Sequence, residues 1–150
     1  MGSALRILHI VAVVLTALEL VPTGAHFFEL PNKIGLAREP YLAVQHIYNG
    51  WAWFGIVLIA AIAANLALAF LLRWGGRRHG ASLAAGLLLA ATLAVFFAWT
   101  YPANLATANW TTMPADWQPL RAQWETSHAV NAVLTFAALC LTAVAATARD

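Results

Sequence analysis

Four apolar runs long enough to cross a bilayer, separated by short polar connectors, restrict this chain more than any other feature. They lie at about 5–30, 41–72, 81–101 and 117–146. A hydrocarbon core of ~30 Å takes about 20 helical residues, and each run meets or exceeds that length. In lipid such a segment must satisfy its backbone polar groups internally, which a helix does. The expectation is an all-α protein, a single domain over residues 1–150 forming a four-transmembrane-helix bundle. Composition agrees, with 62% of residues hydrophobic and 9% charged, against roughly a quarter charged in soluble domains. Eight basic and six acidic residues leave a formal charge of +2, too little for a nucleic-acid surface. The lone Cys140 precludes an internal disulfide and, inside an apolar run, reads as core packing.

Pro22 is expected to kink or loosen the first run. A secretory signal peptide is the rival reading there, from Arg6 and the small residues Thr23, Gly24 and Ala25, and Glu19 within the run speaks against it. Pro31 and Pro40 bracket NKIGLARE, which reads as a loop. Tyr48, Trp51 and Trp53 at the entrance of the second run fit an interfacial aromatic belt. Pro102 should end the third helix, and Asp116 should cap the fourth with Pro119 in its first turn. Four spans put both termini on one side. Arg6, Arg73, Arg77, Arg78 and Arg149 fall on that side, and Lys33, Arg38 and Arg121 on the other. The positive-inside rule therefore predicts cytoplasmic termini.

The fourth run opens with RAQWETSHAVN, which spaces Arg121, Glu125, His128 and Asn131 four, three and three residues apart. On a helix these form one polar stripe, costly in a membrane span unless it faces partners inside the bundle. Topology brings neighbours to the same end: Glu19, His26 and Glu29 late in the first run, His46 and Asn49 early in the second, Asn104 and Asn109 after the third. Asn65 reads as a helix–helix hydrogen bond, and His9 and His79 as solvated.

Three chemistries suit the cluster. In the simplest, His46 and Glu29 lie in the headgroup zone and cap helices. A metal site is the second. His26 with Glu29 and Glu125 with His128 each pair an imidazole and a carboxylate at i, i+3; His46 adds a third ring and Glu19 a further carboxylate. Such ligands suit iron, zinc or copper, and haem less well. The third is a metal-free general base: a desolvated His128 or Glu125, partnered by Arg121, taking a proton from a lipophilic phenol-like molecule. Trp124, Asn131, Asn49 and Asn104 would contact that molecule, with Trp99, Trp110 and Trp117 completing an aromatic pocket.

The segments ELPNKIGL, YLAVQHIYNGW and PANLATANWTTMPADWQPLRAQWETSHA resemble the anthrone oxygenase-like domain family of small bacterial four-helix membrane proteins, most of unknown function. The similarity covers nearly the whole chain and is closest over 102–129, where Pro102, Asn104, Arg121, Trp124 and His128 match the family pattern. The ELP segment replaces a His-Pro segment of the oxygenase branch. The resemblance implies a bacterial inner-membrane location. It also implies an oxygenase that uses O2 on a lipophilic phenolic or hydroquinone-like substrate without an added organic cofactor.

Overall fold

A computed structural model describes residues 2–74 and 76–148. Arg149, counted above for orientation, lies outside them. Helix α1 (Ser3–Lys33) is followed by a short α2 (Arg38–Gln45) and two single 3-10 turns, His46–Tyr48 and Trp51–Trp53. Then come α3 (Phe54–Leu71) and α4 (Gly76–Val95), which passes through a π-type turn at Phe96–Thr100 into α5 (Tyr101–Ala106). The last helix is α6 (Trp117–Thr147), and the described residues contain no strand. Four segments are long and apolar enough to cross a membrane: α1, Trp51–Leu71, Gly76–Ala106 and α6. The protein is an all-α, multi-pass membrane bundle in which α1 and α4 each pack against both α3 and α6.

The side chains are distributed as lipid, not water, would sort them. Ala12, Ala61, Ala85, Ala138 and Thr142 are wholly buried, while Phe28, Phe70, Ile7 and Phe136 face outward. Hydrocarbon gives apolar side chains no reason to hide, so helices associate through small residues and interhelical hydrogen bonds. At Gly86 a Cβ would lie 2.7 Å from Leu66 Cδ2, which marks the close approach of α3 and α4. Asn65 is the expected polar tie. Its amide donates to Thr16 Oγ1 on α1 at 3.3 Å, and its carbonyl accepts from Thr142 Oγ1 on α6 at 2.9 Å. Asn65→Leu should lower stability by about 1 kcal/mol, read as the melting temperature in detergent. An unchanged melt would mean that these bonds do not hold three helices together.

Several boundaries differ from those read in the sequence, each for a local reason. The second run is not one helix. It breaks at Gly50, whose φ of 85° suits a residue without Cβ, so the span proper begins at Trp51. The expected loop shrinks to 34–37, because α1 runs through Pro22 and Pro31 to Lys33. Pro102 does not stop the third helix either. It follows the π-type turn, whose wider backbone makes room for the pyrrolidine ring, and α5 continues to Ala106. Asp116 stands at the start of α6 but makes no side-chain capping bond.

Three side chains also sit otherwise than expected. Cys140 is exposed on the outer face of α6 rather than packed in the core. His9 is buried, donating from Nδ1 to the Leu5 carbonyl at 2.8 Å, with Arg78 Nη2 3.2 Å from Nε2. His79 is half-buried, donating to the Ala69 carbonyl at 2.9 Å.

Candidate functional site

At the end of the bundle away from the termini, a cavity of 770 Å³ opens among α1, α3, α5, α6 and the 3-10 turns. That volume suits a drug-sized molecule. Its wall is mostly aromatic and aliphatic, with Trp51, Phe54, Phe96, Trp110 and Trp124 among the larger groups. Two imidazoles interrupt it. His26 on α1 and His128 on α6 stand with ring centroids 4.2 Å apart, and His128 packs against Trp124 at 4.1 Å. Tyr48 and Trp51 pack on His26 from the other side at 4.4 and 5.6 Å, so both belong to the site rather than to an interfacial belt. His26 Nδ1 is buried and lacks a hydrogen-bond partner among the described residues.

Behind this wall lies a group that sequence reasoning missed. Lys33, counted above only as a loop cation, is 3% exposed. Its Nζ lies 3.2 Å from Glu125 Oε1 and 3.6 Å from Glu29 Oε2, and donates to Tyr48 Oη at 2.8 Å. It also stands 4.3 Å from the Tyr48 ring centroid and 4.8 Å from that of Trp124. Tyr41 donates to Glu125 Oε1 at 2.9 Å and accepts from Gln45 Nε2 at 2.5 Å, while Tyr48 donates to Glu29 Oε2. Burial, then the Glu125 charge, holds the Tyr41 phenol well above its usual range; burial, then the Glu29 hydrogen bond, does the same for Tyr48. Both phenols are therefore neutral donors across the physiological range. A sequence signal existed: His26, Glu29 and Lys33 share one helical face at spacings of three and four.

The remaining predicted site residues divide. Asn49, Asn104 and Asn131 line the cavity, and Asn104 Oδ1 accepts from Trp124 Nε1 at 2.8 Å. Asn109 and Trp110 reach the wall through three consecutive left-handed residues, Ala108, Asn109 and Trp110, with φ of 46°, 55° and 60°. Non-glycine residues adopt that region at a cost, and such strain gathers at functional sites. Trp117 is buried against Tyr41 outside the cavity, and Trp99 is exposed.

Glu125 is fully buried but pairs with Lys33 and Tyr41, not with His128 as the i, i+3 spacing suggested. Arg121 is likewise outside the cavity. It donates to the Leu36 carbonyl at 2.7 Å and stacks over Trp117 at 4.6 Å, tying α6 to the turn before α2. His46 is exposed and does not line the cavity, because the turns before Gly50 lead it away from α1 and α6.

The residues expected to hold a metal ion are divided among different neighbours. Lys33 Nζ stands between Glu29 and Glu125. Glu19 lies about 10 Å deeper along α1 than His26, by seven residues of helix rise. Among the described residues no group of three or more His, Cys, Asp and Glu side chains is arranged to hold a metal ion.

No protein-family model, curated protein or solved structure matches the chain.

Proposed function

We propose that the protein is a membrane-embedded oxidoreductase that uses O2 on a lipophilic phenolic or quinol-type substrate held in the cavity. The observation that carries this reading is the pair of adjoining imidazoles, tilted by 36°, in an otherwise largely apolar wall. Lys33, held behind that wall by Glu29 and Glu125, fixes Tyr48 by a hydrogen bond, and Tyr48 in turn packs on the His26 ring. His128 takes the proton from the substrate, and His26 shares the charge that results. Glu29, 3.9 Å from His26 Nδ1 and partly exposed, provides the proton's way out. The electron-rich substrate anion then meets O2 within the largely apolar cavity. For an anthrone-like methylene the balance is CH2 and O2 giving C=O and H2O. The sequence resemblance to the anthrone oxygenase-like family points the same way.

The test is oxygen uptake by the purified protein in detergent with a hydroxyanthrone. Uptake matched by quinone formation, above the rate without protein, is expected. Uptake no faster than without protein would contradict the reading. A stoichiometric metal or a Soret band in the same preparation would replace it with the alternative of a metal- or haem-binding protein without turnover.

We further infer that the cavity opens toward the periplasmic side of a bacterial inner membrane, with both termini cytoplasmic. Arg6, Arg73, Arg77 and Arg78 gather at the opposite end of the bundle. A reporter fused to the C-terminus should read cytoplasmic, and one inserted at 34–37 periplasmic. The reverse pattern would invert the site.

A further inference from the structure

The deep end of the cavity contains acceptors with nothing to accept. Glu19 is 6% exposed, lines the cavity, and its Oε2 has no hydrogen-bond partner among the described residues. Asn131, also 6% exposed and in the same wall, donates from Nδ2 to the Thr92 carbonyl at 3.3 Å, which leaves its Oδ1 without a partner. A buried carboxyl oxygen and a buried amide oxygen left unpaired are each costly, and a hydroxyl serves either. Thr23 and Thr92 line the cavity too, but their hydroxyls donate to the Glu19 and Leu89 carbonyls, and Pro22, Leu58, Leu93 and Phe96 supply no free hydroxyl donor. The ligand can.

Helix geometry fixes where that donor belongs. Glu19 and His26 are seven residues apart on α1, hence on nearly the same face and about 10 Å apart along the axis. We propose that Glu19 is a specificity-determining residue: it binds a hydroxyl at the far end of a ligand whose near hydroxyl meets His26 and His128. The preferred ligand class is therefore an elongated, apolar aromatic diol with its hydroxyls roughly 10 Å apart. This rests on the reading of the cavity as a site for lipophilic phenols.

Two probes test it: a linear tricyclic aromatic with a hydroxyl at each end, and its mono-hydroxy analogue. Their affinities are read by quenching of tryptophan fluorescence in the purified full chain. Wild type should bind the diol roughly 3- to 10-fold more tightly, as expected for one net hydrogen bond. Glu19→Leu should bring the diol down to the affinity of the mono-ol and leave the mono-ol unchanged. Glu19→Gln keeps an accepting oxygen and should retain part of the preference. Equal affinities in wild type, or a preference that survives in Glu19→Leu, would overturn the role of Glu19 and leave the phenol site standing. Failure of both probes to bind wild type would overturn the phenol site and this inference with it.

Discussion

His128→Ala should lower kcat for O2-dependent oxidation by about 10²- to 10⁴-fold, the usual contribution of a positioned proton acceptor. The four-helix bundle should survive the change. His128 lies in the wall of an existing cavity, so the space left by its ring joins that cavity instead of opening a new one in a packed core. Its stabilising contacts are the ring pairs with His26 and Trp124, worth about 0.5–1.5 kcal/mol each. The remaining turns of α6 are held by Ala132, Ala138 and Thr142, which the substitution does not touch. The measurements are kcat, KM and the melting temperature in detergent on one preparation. Loss of folding with unchanged turnover per folded molecule would make the imidazole pair structural.

Lys33→Met has the opposite profile, a large loss of stability. It removes the cation between two carboxylates, one of which, Glu125, has no exposure to solvent. Breaking a buried pair by deleting one member costs about 3–5 kcal/mol, because the other charge is left uncompensated. The second substitution Glu125→Gln withdraws that charge while still accepting from Tyr41. The double variant should therefore recover most of the loss, and a double-mutant cycle on melting data in detergent measures the coupling. A Lys33→Met protein as stable as wild type would show that the ammonium does not hold this end of the bundle together.

The fold was legible because lipid sets its rules by length and hydropathy. Leu5 to Leu30 and Trp117 to Ala146 needed no tertiary information to read as spans. Asn65 was legible for a related reason, since a lone amide in a span finds partners on neighbouring helices. The site was legible only in part. Topology brought His26, His128, Asn104 and Asn131 to one end of the bundle, and there they line one cavity.

What failed was inference along a single helix. Glu125 and His128 share a stripe but turn to different neighbours, because Lys33 and Tyr41 arrive from α1 and α2 and draw the carboxylate away. Lys33 itself was hidden by its flanks. Within the turn-like NKIG that follows Pro31 it resembles a loop residue, and only the continuation of α1 through Pro31 carries it into the bundle. His46 was misplaced because Gly50 divides a run that composition alone makes continuous.

The most direct test of the account is the mass of the quinone formed from a hydroxyanthrone under isotopically heavy O2, with its rate compared between wild type and protein-free detergent. The account predicts protein-dependent quinone carrying one heavy oxygen atom, the second leaving as water. Protein-dependent quinone without the label, or quinone formed no faster than in detergent alone, would contradict it.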